Sequence, residues 1–319
     1  MKDNITYGYG EDYLSSDVKD YVCYKNGNYK VFFDLRDGTK LRMTKDDKFE
    51  PEFAESMDVT ISTKCDRECK YCYMGCTKNG EQPDLLHWKF LDSLHPCTEI
   101  AINLNFPVHP QLVKFLNVLK DKKVIVNITI NQLDFEKYST FVSHLSEQKL
   151  IYGIGVSLID PTDEFINKIK LFDNAVIHVI NGVVTEEQIN KLRKHGLKIL
   201  VLGFKHINRG IEYYWKEQEE VEKNHQYLQD NIIEMLDDFK VVCFDCLGLS
   251  QLRIKDKIPK EDFDRFYLGE DGAFTFAINL TKGVFSLSSS SMFEYPIDRN
   301  DIDDMFSIIK KEREDMGLL

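Results

Sequence analysis

Between residues 57 and 203 the chain alternates strand-like and helix-like patterns at short spacing, and this alternation constrains the fold more than any other feature. Residues 57–62, 99–104, 123–130, 152–158, 175–180 and 198–203 read as six strands. Residues 85–94, 111–120, 135–150, 163–172 and 186–195 carry helical patterns between them. Strands that alternate with helices imply βαβ units and a parallel sheet covered by helices, so the fold class is α/β. Active sites of such barrels and sheets gather at the carboxyl ends of the strands. No internal repeat interrupts the pattern, and the one biased tract is the serine run Ser288 to Ser291.

The first strand runs directly into Lys64-Cys65-Asp66-Arg67-Glu68-Cys69-Lys70-Tyr71-Cys72-Tyr73, a C-x3-C-x2-C spacing. Three thiolates on one short loop suit three irons of a [4Fe–4S] cluster and leave the fourth iron open to a small chelating molecule. A closed zinc or cluster site is the competing reading, with Cys76 as fourth ligand. Zinc modules usually pair two C-x2-C knuckles across a spacer, whereas this loop has one. The open cluster on Cys65, Cys69 and Cys72 is therefore the preferred reading, and Cys76 is read as an ordinary small residue.

The loop resembles the cluster-binding loop of the radical S-adenosylmethionine (radical SAM) enzymes. The resemblance implies a partial (β/α)6 TIM-like barrel and two cofactors, a [4Fe–4S] cluster and SAM. It also implies reductive cleavage of SAM to a 5′-deoxyadenosyl radical that attacks a substrate, with the cofactor carrying the chemistry and the protein positioning it. Carried over position by position, Tyr73 packs near the adenine; the plainer alternative is a core aromatic. Asn131 and Ser157, at strand ends, stand where polar residues meet SAM, although polar strand ends are common loop residues. The family's Gly-Gly-Glu-Pro-like segment corresponds here to Asn103-Leu104-Asn105-Phe106-Pro107-Val108-His109-Pro110, which lacks both glycines and the acid. Asn103 or Asn105 is left to meet the SAM amino group through a side-chain amide.

Further stretches, among them 98–102, 127–132, 178–182 and 202–210, resemble an uncharacterised radical SAM group of bacteria and their phages. Lys205 and Arg209 are expected at the mouth, where they would bind a carboxylate or phosphate or else serve as solvated charges. His178 is read as a core histidine within a strand. Cys243 and Cys246 form a second C-x2-C; an auxiliary cluster with Cys97 or Cys23 is weighed against buried free cysteines, which are common.

Composition fits an intracellular enzyme. The 319 residues are 43% hydrophobic and carry a net charge of −12, which disfavours sequence-independent nucleic-acid binding. Eight cysteines without a secretory signal argue against a disulfide scaffold and for the cytoplasm. No apolar run approaches the roughly 18 residues of a membrane span. Residues 1–54 read as an N-terminal β-rich extension with a hairpin at Asp37-Gly38 that closes the barrel's open side. Residues 55–210 read as the core, and 211–319 as a cover made of one long helix (211–237) and a hairpin (274–288). The expected function is a radical SAM enzyme acting on a small molecule or nucleotide in preference to a peptide, reduced by a flavodoxin or ferredoxin. The alternative is a degenerate binding or regulatory protein that retains the cluster without efficient SAM cleavage.

Overall fold

The computed structural model describes residues 21–267, 269–298 and 300–318. Three antiparallel strands come first: β1 (Tyr21–Asn26), β2 (Tyr29–Asp34) and β3 (Lys40–Met43). The alternating unit follows, with β4 (Ser56–Thr60), β5 (Glu99–Leu104), α1 (Leu112–Asp121), β6 (Ile125–Asn131), α2 (Gln132–Glu147) and β7 (Gly153–Ser157). It continues through α3 (Asp163–Ile169), β8 (Ala175–Ile180), α4 (Glu186–Leu192) and β9 (Lys198–Leu202). Beyond it lie α5 (Arg209–Lys216), α6 (Gln218–Asn231), β10 (Val241–Phe244), α7 (Cys246–Gln251) and α8 (Lys260–Phe266). The chain ends in β11 (Thr275–Asn279), β12 (Val284–Ser286), β13 (Tyr295–Pro296) and α9 (Ile302–Asp315).

Strands β4 to β13 form one ten-stranded sheet in the order β10-β9-β8-β7-β6-β5-β4-β11-β12-β13. From β10 to β11 every pairing is parallel, so the parallel set extends two strands past the six expected. The additions were hard to read. Strand β10 has four residues, and β11 looks like half of a local hairpin although it also pairs with β4 far away in sequence.

Side chains alternate along each strand. Met57, Val59, Ile100, Ile102, Ile128, Ile154, Ile177 and Val201 are buried on one face, where they meet Phe115, Leu119, Phe135, Phe165 and Leu192 of the covering helices. The opposite face carries Asp58, Thr60, Ala101, Asn127, Thr129, Gly155 and His178. Residues too small or too polar to pack a core leave that face hollow.

Two contacts show that the sheet curls around this hollow face. Lys205, just after β9, donates to Ser289 Oγ at 2.9 Å, although β9 and β12 are seven strand spacings apart. In a flat sheet that separation would be roughly 34 Å. Cys246, after β10, likewise reaches the carbonyl of Gly269, ahead of β11, at 3.6 Å. Among the described residues no ladder joins β10 to β13, so the curled sheet is open.

Three expectations are corrected. Residues 85–94 are an irregular segment with a short 3-10 turn at Lys89–Ser93. The long helix expected over 211–237 breaks at Glu217, whose φ of −120° separates α5 from α6. The N-terminal sheet does not close the open side of the barrel. It caps the amino ends of β4 to β6, where Val31, Phe33 and Tyr29 pack with Cys97 and Ile125.

That cap is fixed by Glu55, only 1% exposed, which accepts from Tyr29 Oη at 2.6 Å and from Arg42 Nε at 2.7 Å. Burial alone would raise the Glu55 carboxyl; the Arg42 guanidinium, Lys40 and the Tyr29 hydroxyl reverse this and hold it below its ordinary value. A carboxyl depressed on folding contributes stability above its unfolded pKa, and that stability is lost as pH falls through the folded value. Glu55→Ala, which removes the buried carboxylate that Arg42, Lys40 and Tyr29 share, is expected to cost about 3 kcal/mol in denaturant unfolding. The difference from wild type should shrink as the pH is lowered below 4.5.

Candidate functional site

The three cysteines lie on the loop that leaves β4, at the carboxyl end of the sheet, and all are free and half-buried. Contacts from distant parts of the chain hold this loop. Asn103 accepts from Ile61 N at 2.9 Å and donates to Ser62 O at 2.7 Å; Asn105 donates to the same carbonyl at 3.1 Å. Cys65 N donates to Thr77 O at 2.8 Å, and Asp66 N to Phe106 O at 2.9 Å. Arg67 pairs with Asp134, a buried carboxylate in the first turn of α2.

Arg209 makes the longest reach. At the start of α5, it donates through Nε to Cys69 O at 2.9 Å and through Nη2 to Cys76 O at 2.8 Å. One planar guanidinium thereby ties both ends of the Cys69–Cys76 stretch, a task for which a forked donor is suited. Its neighbour Asn208 donates to Tyr73 O. Arg209 is thus committed to backbone carbonyls and is not the free anion binder expected at the mouth.

The thiols influence one another. Burial pushes the Cys65 and Cys69 thiols up, and the neighbouring sulfurs add to the rise. Cys72 goes the other way, because it takes a hydrogen bond from Cys76, whose own thiol rises in return. Closely set, partly desolvated thiols are costly to ionise without cations among them, which suits iron or zinc. Among the described residues no three His, Cys, Asp or Glu side chains converge as they would around a single metal ion. The Cys72–Cys76 contact nonetheless keeps Cys76 next to the site.

A cavity of about 420 Å³ opens beside Cys69. Its floor is Leu158, Ile159, Val179, Val183 and Val184 from the ends of β7 and β8, and Arg67, Tyr71, Asn131 and Gln188 form its polar rim. Asn131 caps α2 by accepting from Leu133 N at 3.0 Å and turns its amide to Cys69 Sγ at 3.8 Å. Ser157 stands beside it in register, between Asn131 and His178. A larger groove of about 1290 Å³ lies between α4 and the α5–α6 break, but none of the cysteines lines it and its walls are surface charges.

Tyr73 turns inward from the loop. Its ring lies 4.2 Å from Lys205 Nζ, and its hydroxyl meets Ser289. Lys205 therefore links the cysteine loop, the end of β9 and the serine run. Asn103 and Asn105, expected to meet SAM, both donate their amide N–H to Ser62 O. The remaining cysteines separate: Cys23 and Cys97 lie with the N-terminal sheet, Cys243 near Lys198, and Cys246 beside Asp271. No auxiliary set assembles among the described residues. The apolar floor at 158–159 and 183–184, the Arg209 clamp and the interior Asp58 were all missed in the sequence, since each depends on pairing distant in the chain.

No protein-family model and no curated protein matches the sequence. Solved structures that match the fold include two of SuiB. SuiB of Streptococcus suis bound to S-adenosylmethionine superposes with a TM-score of 0.59 at 12% identity, covering 92% of this chain and 89% of that one. SuiB bound to the precursor peptide SuiA gives 0.55 at 11%, covering 90% and 87%. The likeness shows that this chain shares the fold of SuiB. Among the described residues no helix is long and apolar enough to cross a membrane.

If Arg209 holds the loop, Arg209→Ala should speed alkylation of Cys69 and Cys72 by iodoacetamide in the metal-free protein by about tenfold or more, as expected from loss of two charge-assisted bonds. Arg209→Lys should restore protection only in part, since an ammonium cannot span both carbonyls as the guanidinium does. Mapping the modified cysteines by mass spectrometry checks both outcomes.

Proposed function

We propose that the protein is a radical SAM enzyme whose curled sheet serves as the family's partial barrel. In this reading Cys65, Cys69 and Cys72 hold a [4Fe–4S] cluster and the 420 Å³ cavity takes the adenosine of SAM. One observation carries it: three thiols on a clamped loop, with Cys69 in the wall of an apolar cavity at the strand ends. The cluster, when bound, supplies the electron that cleaves SAM to methionine and a 5′-deoxyadenosyl radical.

The chain's own residues perform the supporting tasks. Arg209, Asn208 and Asn103 fix the loop before any cofactor arrives. Leu158, Ile159, Val179 and Val183 keep water from one face of the cavity, which protects a reactive radical from side reactions. Tyr73, close against Lys205, separates the cysteine loop from the hollow of the sheet. A cytoplasmic setting and reduction by a small flavodoxin or ferredoxin belong to the same proposal.

A second reading has its own observation. The amide nitrogens of Asn103 and Asn105 both donate to Ser62 O and Asn103 Oδ1 accepts from Ile61 N, so of this pair the Asn105 carbonyl oxygen is left to stand in for the missing acid at the SAM amino group. That favours a degenerate protein that keeps the cluster without cleaving SAM. EPR of the dithionite-reduced, anaerobically reconstituted protein separates the two. A cluster signal that shifts on adding SAM, with release of 5′-deoxyadenosine, supports the enzyme; a signal indifferent to SAM supports the degenerate protein. Replacing Cys65, Cys69 or Cys72 by Ala should abolish the signal and the bound iron. Cys76→Ala should retain both, and loss of iron in that variant would favour the closed four-cysteine site.

A further inference from the structure

The hollow of the sheet below the cysteine loop has a charge imbalance that the cofactor reading leaves unexplained. Asp58 sits in the middle of β4 with its side chain on the hollow face. Its cross-strand neighbours are Ala101 on β5 and Ala277 on β11, so nothing beside it covers the carboxylate. The Asp58 side chain is open to water on the concave face of the curled sheet. Among the described residues it accepts no hydrogen bond and has no ion-pair partner. Burial raises its carboxyl, Lys205 partly offsets this, and Asp271 and Asp245 push it further up.

The one cation in reach is already engaged. Lys205 donates to Ser289 and lies over Tyr73, and it forms no ion pair with a carboxylate among the described residues. Asp245 is also committed, because its Oδ1 accepts from Gly203 N at 2.9 Å and from Gly248 N at 2.6 Å. Asp271, beside the Cys246 thiol, is raised by burial like Asp58. Asp58 is therefore left with a shared ammonium alone, whereas Asp271 also takes side-chain hydrogen bonds from Cys246 and Ser288.

A second group points into the same hollow from the facing wall. His178 on β8, four strands from Asp58, packs its imidazole where a Cβ on Gly155 would lie 2.2 Å from Cε1. Its Nδ1 is sealed off without any partner, and burial lowers the ring to about 4, so it is neutral. An unmet lone pair at Nδ1 is less costly than an unmet N–H. The proton accordingly belongs on Nε2, which has no partner among the described residues and faces the hollow. His178 thus offers one donor opposite Asp58.

We propose that this hollow binds a cationic group of the substrate, an ammonium or guanidinium held by Asp58 and Asp271, with an oxygen acceptor on the ligand facing His178. The proposal gives a substrate class to the enzyme reading above and rests on that reading only in calling the ligand a substrate. It runs against a nucleotide, because a phosphate here would face two carboxylates and one engaged lysine.

Agmatine is a suitable probe, with butanol and butyl phosphate as neutral and anionic controls, measured by calorimetry on the anaerobically reconstituted protein. Agmatine should bind wild type, and Asp58→Asn or Asp271→Asn should weaken it by about tenfold or more, the scale of a lost charge-assisted contact. Glu219→Gln on the outer surface of α6 should leave binding unchanged, which controls for the general attraction of amines to an acidic protein. Asp58→Asn should also raise the melting temperature of the ligand-free protein, since it removes an uncompensated charge; a lower value would make Asp58 structural and overturn the proposal. Equal agmatine affinity in wild type and Asp58→Asn, or tighter binding of butyl phosphate, would overturn it too. So would a loss of SAM affinity in Asp58→Asn with agmatine binding intact, because the cation would then be SAM's own. Agmatine binding that depends on Asp58 in a protein whose EPR signal ignores SAM would uphold the site and defeat the enzyme reading alone; the reverse result would defeat only the site.

Discussion

The organisation of this protein depends on which face of its sheet is apolar. Isoleucine, valine and leucine alternate onto the outer face, where the helices remove them from water, and that burial is the main source of cohesion. The inner face is left with alanine, glycine, threonine, asparagine and one aspartate. In a closed eight-stranded barrel the interior is filled by layers of branched side chains. Here the reversed distribution leaves space, and the curl of the sheet turns that space into an enclosed hollow. The same curl brings the ends of β4, β9 and β12 within reach of one lysine, so the geometry of the site follows from the packing of the opposite face.

A loop with three cysteines has few internal means of holding its shape. Its own bonds are turn contacts such as Cys72 N to Cys69 O at 3.2 Å. The remaining order comes from Asn103 on the next strand, Asp134 on α2 and Arg209 more than a hundred residues away. Placing these supports on regular elements rather than on other loops is what gives a binding constellation its precision. Asn103, Asn105 and Arg209, each attractive as a direct ligand contact in the sequence, are among these supports.

What could be read in the sequence was local. Strands 99–104 and 175–180 match β5 and β8 residue for residue, because six-residue alternations flanked by turns admit little else. The first strand and its cysteine loop were equally legible. Residues 85–94 misled because their leucines and phenylalanine suggest a helical face, whereas Leu85 and Phe90 are buried from an irregular segment. The break at Glu217 was invisible within a run of good helix formers. The parallel pairing of β11 with β4 joins residues more than two hundred apart, and no periodicity encodes it. Asp58 was hidden for a related reason. A single acid in an alternating strand reads as a solvent-facing residue until the curl of the sheet shows that its solvent is a cavity.

That distinction bears on how the net charge of −12 should be understood. Most of the acids are on the surface, where water and salt screen them and they serve solubility. Asp58 and Asp271 instead lie by Lys205, and both carboxyls are raised by their surroundings. A cationic ligand there would meet both carboxylates at once. The hollow therefore selects by charge sign before shape matters, and it does so directly beneath the loop where the cysteines gather.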